Sequence, residues 1–109
     1  MTEKDMKIIS ELKKRIPDNI RKHMKRLIVY GSRARGEAAE DSDLDAIVLL
    51  DEKNSAIEKE LDEIAYSVMW DFDFKPIVSL KVFAEEQFRK AAEKGFSFYR
   101  HVEQEGISL

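Results

Sequence analysis

The chain has 109 residues, 43% of them hydrophobic, with four Gly, two Pro and no Cys. This bounds it to one domain over residues 1–109 with a modest core, and excludes disulfide scaffolds, thiolate metal sites and cysteine nucleophiles. A net charge of −3 argues against a flat duplex-binding protein, and no sequence-specific DNA binding is expected.

Residues 2–16 place Met6, Ile9, Leu12 and Ile16 at helical spacing, and Pro17-Asp18-Asn19 ends that helix. Residues 20–25 are ambiguous, and the aliphatic run Leu27-Ile28-Val29-Tyr30 reads as a buried strand closed by Gly31. Ser32 then caps a brief helix through Ala34 and Arg35, which Gly36 ends. A polar turn over 37–42 leads to a strand over 44–50 whose aliphatics occupy both faces, as an interior strand requires. Residues 55–68 form the clearest helix, with Ile57, Leu61, Ile64 and Val68 on one stripe. A third strand is expected over 72–78, then a helix over 80–92 and a short terminal helix over 96–105 before Gly106. The order implies an α/β (α+β) fold, a small mixed sheet with helices packed against it.

Charge is unevenly distributed. From Lys13 to Arg35 there are nine Lys/Arg and one acid, whereas from Glu37 to Glu63 there are eleven acids and two lysines. The first block suits phosphates and the second suits cations. Asp43 and Asp45 stand two apart at a strand start, so both carboxylates face one way and repel unless a cation lies between them. Magnesium is the oxygen-loving candidate, since it uses one or two carboxylates plus substrate phosphates. A solvated strand end would tolerate the same pair. An EF-hand reading of Asp41-x-Asp43-x-Asp45 fails at Ala46, where a calcium loop needs Gly.

Gly31 permits a tight turn and close ligand approach, and Ser32 opens a helix whose free N–H groups favour anions. The blander account is an ordinary strand-turn-helix junction. Arg33 and Arg35 either contact phosphate or pair with Glu37, Glu40 or Asp41. A two-metal phosphoryl site wants a third carboxylate on an adjacent strand. Asp73, inside the expected third strand, is favoured over Asp71, the alternative being a simple pair with Lys75.

The run Gly31-Ser32-Arg33-Ala34-Arg35-Gly36, ten residues between Ser32 and Asp43, then Asp43-Leu44-Asp45, resembles the DNA polymerase beta-like nucleotidyltransferase superfamily, most of all its minimal branch. The stretches FKPIV at 74–78 and FYRHVEQEG at 98–106 look like stand-alone members. The resemblance implies a nucleotidyltransferase-type fold and a magnesium-dependent transfer of a nucleoside monophosphate, AMP from ATP first, to a protein or RNA hydroxyl. It implies that Gly31, Ser32, Arg33 and Arg35 grip the triphosphate. It also implies that Asp43, Asp45 and Asp73 hold two Mg2+ ions and are catalytic. A small helical HEPN-type toxin is the partner such antitoxins take. The competing account is a binding module that neutralises its partner by occlusion alone.

So short a chain leaves little room for an acceptor-recognition domain, so the acceptor is expected on a partner surface; self-association into a homo-oligomer stays open. The residues Tyr66, Trp70, Phe72 and Phe74 either serve such a surface or fill the core. No membrane partner is expected, because no apolar run reaches the roughly 20 residues that span a bilayer and no secretory segment opens the chain. The natural location is cytoplasmic.

Overall fold

Two runs of aliphatic residues set the frame. In the computed structural model, which describes residues 1–37, 39 and 41–109, they form β1 (Met24–Tyr30) and β2 (Leu44–Leu50). These strands pair antiparallel, with Tyr30 opposite Asp45 and Ile28 opposite Ile47. β3 (Val78–Ala84) adds to β2 in parallel, and the two-residue β4 (Ile107–Ser108) adds to β1 antiparallel, giving the order β3-β2-β1-β4. β2 therefore lies inside the sheet, which is why both of its faces are apolar.

Each face of the sheet has its own helix layer. Leu44, Ala46, Val48 and Leu50 point toward α1 (Glu3–Arg15) and α4 (Ser55–Asp71), joining Ile8, Ile9, Leu12, Leu61 and Val68. Ile47 and Leu49 point the other way, toward Phe88 of α5 (Glu85–Glu93) and Val102 of α6 (Ser97–Glu105). Asn54 caps α4 by accepting from the Ile57 amide at 3.1 Å. From there Ile57, Leu61, Ala65 and Val68 recur on one buried stripe. Truncating Leu61, which is fully buried, to Ala costs about 2–5 kcal/mol through the cavity it leaves. Two short helices, α2 (Asp18–Arg21) and α3 (Gly31–Arg35), flank β1.

At the N-terminus Thr2 and Asp5 form a reciprocal cap: the Asp5 amide donates to Thr2 Oγ1 at 3.1 Å and the Thr2 amide donates to Asp5 Oδ2 at 3.2 Å. The buried stripe of α1 is Ile8, Ile9 and Leu12, with Ile16 buried at its C-cap; Met6, expected inside, is exposed, and Asp5 is buried. The chain's last residues return to the sheet beneath Gly106. A Cβ there would lie 2.5 Å from Ile28 Cγ2 and 2.5 Å from the Val102 carbonyl, so only glycine lets α6 turn into β4 so close to β1.

The strand expected over 72–78 does not form. α4 continues to Asp71, and Asp73 and Phe74 follow with φ of 57° and 56°, a left-handed backbone that no strand accepts. The Phe74 ring holds this turn in place, edge-on to Tyr66 and Trp70 at centroid distances of 5.6 and 5.1 Å. The third strand begins later, and its residues alternate. Val78, Leu80 and Val82 face the α1/α4 layer, while Ser79, Lys81 and Phe83 share the opposite face with Asp45, Ile47 and Leu49. Over so few residues, Leu80, Val82 and Phe83 fit a helix nearly as well as a strand, and pairing with β2 decides the matter.

Candidate functional site

Asp45 sits where β1, β2 and α3 meet. β1 ends at Tyr30, its cross-strand partner, and Gly31 turns the chain with φ of 80° into α3. A Cβ built on Gly31 would stand 2.6 Å from Asp45 Oδ2, so the missing side chain makes the space that the carboxylate occupies. Asp43 is exposed, one residue ahead of the strand. Burial pushes the Asp45 carboxyl above its ordinary pKa; the Lys81 charge opposes this and the Asp43 charge adds to it. The structure thus brings Gly31, Asp43 and Asp45 together.

Ser32 lies in the first turn of α3, half-buried, and is not its cap. Tyr30 occupies the cap position without a side-chain hydrogen bond, and Gly36, with φ of 74°, closes the helix.

The arginines have other work. Arg33 is 8% exposed and donates to the 1%-exposed Asp5 at 3.0 Å and to the Ser42 carbonyl at 2.9 Å. It clasps the start of α1 to α3 and to the loop before β2, a structural position that Asp5's place in the sequence did not reveal. Neither Glu37 nor Asp41 is its ion-pair partner; the one described is Asp5. Arg35 pairs with Glu37 at 3.1 Å and with Glu105 of α6 at 3.5 Å. Glu40, considered for either arginine, lies outside the described residues. A hollow of about 160 Å³ beside Gly31 is lined by Tyr30, Arg35, Phe98, His101 and Glu105, which leaves Arg35 at the edge of the site.

Asp73 is not on a strand. It occupies the turn after α4, the helix that covers the opposite face of the sheet from Asp45. The premise that made it the third carboxylate, alternation along a strand beside Asp43 and Asp45, is therefore corrected. Of the β3 residues on the Asp45 face, those nearest it are Ser79, opposite Asp45 itself, and Lys81, opposite Ile47. Lys81 Nζ donates to Tyr30 Oη at 3.1 Å and lies 5.6 Å from the Phe98 ring centroid and 5.8 Å from that of Tyr30. The hydrogen bond to Tyr30 holds its pKa above the usual lysine value, so it stays charged. Sequence reasoning missed Lys81 because it fell in a segment that reads as helix. The Val78-Leu80-Val82 alternation was the signal for a strand.

Two adjacent carboxylates, one of them desolvated, make a hard oxygen donor pair that fits magnesium with phosphate oxygens completing its shell. Among the described residues no group of three acids or histidines converges to hold an ion by protein atoms alone.

Residues 5–105 match the nucleotidyltransferase domain family. The chain is 37% identical over 79 residues, 70% of its length and 80% of the other's, to the "Putative protein adenylyltransferase MJ0141" of Methanocaldococcus jannaschii. In fold it is similar to a "putative minimal nucleotidyltransferase", with a TM-score of 0.53 and 24% identity over 97% of this chain and 89% of that one. It is also similar to a chain of a toxin-antitoxin structure with AMP-PNP, with a TM-score of 0.54 and 22% identity over 95% of this chain and 70% of that one. A chain from the toxin-antitoxin MntA-HpeT mutant D39ED41E follows, with a TM-score of 0.51 and 19% identity over 95% of this chain and 70% of that one. The match over 5–105, on a sheet that seats Asp45 against Gly31, makes this chain a member of the nucleotidyltransferase domain family.

Proposed function

We propose that the chain, as one minimal domain over residues 1–109, transfers AMP from ATP to a hydroxyl of a partner protein. The observation that carries this reading is Asp45 seated against Gly31 with Asp43 beside it. The acceptor class is supported by the adenylyltransferase name of the archaeal relative, and the nucleotide by the AMP-PNP of the structural neighbour.

Asp43 and Asp45 would hold Mg2+, which when bound neutralises triphosphate charge and polarises the acceptor hydroxyl. Ser32 and the backbone N–H groups at the start of α3 would orient the β- and γ-phosphates. The acceptor oxygen bonds to the α-phosphorus, the bond from that phosphorus to the β-phosphate's bridging oxygen breaks, and pyrophosphate leaves. The acceptor's proton goes to solvent. The sheet fixes Asp45 before the substrate arrives, so that acid needs little reorganisation during transfer.

The partner is a small helical protein of HEPN type, in keeping with the toxin-antitoxin neighbours. Tyr66 and Trp70, 53% and 61% exposed and packed edge-to-face with Phe74, offer it an aromatic surface. Incubation of the chain and the product of its neighbouring gene with labelled ATP and magnesium tests the reading. Label should appear on the partner and disappear in Asp43→Ala plus Asp45→Ala. Label that persists in that variant removes the site from the reaction. Stable complex formation without label would favour occlusion, and label on RNA would move the acceptor.

A further inference from the structure

Two-ion phosphoryl transfer clamps the attacking and leaving oxygens between two divalent ions, each of which needs oxygen ligands. On the face that carries Asp45, β3 offers a hydroxyl at Ser79 and an ammonium at Lys81 in place of an acid. The ammonium is held, not loose: Tyr30 Oη accepts one N–H at 3.1 Å, and the rings of Phe98 and Tyr30 lie under it. It feels the charge of Asp45, yet among the described residues no carboxylate lies within 4.0 Å of it. The exposed cation thus stands diagonally across β2 and β3 from the half-buried Asp45 carboxylate, on the same face of the sheet, without pairing to it. A group that is negative toward Lys81 and reaches Asp45 through a metal would satisfy both charges at once.

We propose that Lys81 is a phosphate-binding residue that takes the place of a second divalent ion, so that one chain with nucleotide holds one divalent ion. The inference rests on the transfer site proposed above. Lys81 Nζ has N–H groups left over after Tyr30 and donates them to triphosphate oxygens as charge-assisted hydrogen bonds. Its charge repels a second divalent ion at the β3 side while supplying part of what that ion would. Tyr30 and Phe98 are positioning residues, because they fix the ammonium without touching phosphate.

The test uses the full chain as wild type, Lys81→Met and Lys81→Arg, each checked for its melting curve. Calorimetry with α,β-methylene-ATP in EDTA should show about tenfold weaker binding in Lys81→Met, the size of one lost charge-assisted hydrogen bond. Lys81→Arg should bind within about threefold of wild type, which a merely structural role for the side chain would not require. Titration with Mn2+ in the presence of the same analogue, read by electron paramagnetic resonance, should saturate at one ion per wild-type chain. Two ions per chain, or Lys81→Met binding as tightly as wild type in EDTA, overturns the inference. If the inference alone is wrong, wild type still binds the analogue with magnesium and Asp43→Asn weakens that binding. If wild type binds no nucleotide with or without magnesium, the transfer site falls with it.

Discussion

Asp45 Oδ2 lies 2.6 Å from where a Cβ on Gly31 would be. The end of one strand and the start of the next are thereby fitted to each other at an oxygen that the proposed transfer site would use to hold metal. Gly31 also holds φ of 80°, so any side chain there meets both strain and the carboxylate. Gly31→Ala is expected to cost about 1–3 kcal/mol of stability and to lower transfer at least about tenfold by displacing Asp45. Denaturant titration and the labelled-ATP assay check both. An alanine variant with unchanged transfer would show that the Asp45 position is not critical.

Asp5 and Arg33 form a buried pair at 3.0 Å, and Asp5 also completes the cap of α1. Asp5→Ala leaves a buried guanidinium without this partner and should destabilise the fold by about 3–5 kcal/mol. Thr2→Ala, which removes only one cap bond, should cost about 1 kcal/mol. Urea unfolding of both variants gives the comparison, and equal costs would contradict the clasp assigned to Arg33.

The Asp45 carboxyl titrates above its usual 3.8, chiefly because burial disfavours its charge. Folded protein therefore holds this proton more tightly than unfolded chain does. Stability falls as pH rises from the unfolded value through the higher folded value, and the loss persists above that window. Asp45→Asn removes the charge and should raise the urea midpoint at pH 7, with the gain vanishing below the unfolded value. The same variant should lose metal-dependent nucleotide binding, trading function for stability. An asparagine variant less stable than wild type at pH 7 would contradict the assigned desolvation.

Asp73 lies in the turn after α4 with φ of 57°. Asp73→Gly removes the carboxylate and suits that backbone, so it should match or exceed wild type in stability by up to about 1 kcal/mol. Transfer should stay within about twofold of wild type, well short of the hundredfold or more expected on losing a group that stabilises the transition state. Steady-state rates with the labelled-ATP assay decide it. A hundredfold loss with an unchanged melting curve would return Asp73 to the site.

Local patterns carried much of this protein into view. The aliphatic run into Tyr30 and the strand over 44–50 stand where the sequence places them, because an interior strand needs apolar residues on both faces. The turn at Gly31 and the placing of Asp43 and Asp45 at the start of β2 were legible because a tight turn and a strand start demand particular residue types within one short stretch. What could not be read locally depends on partners far along the chain. Asp5 looks like an ordinary first-turn acid until Arg33, 28 positions later, is folded against it. Lys81 looks helical until β2 pairs with its segment and turns it toward Asp45. Asp73 looks strand-borne until Phe74 packs on Tyr66 and Trp70 and bends the backbone left-handed. Sequence alone determined the turn and the acid pair, since their requirements are covalent and local. Only tertiary structure decided which charges stand beside them, because burial and cross-strand register are properties of the assembled sheet.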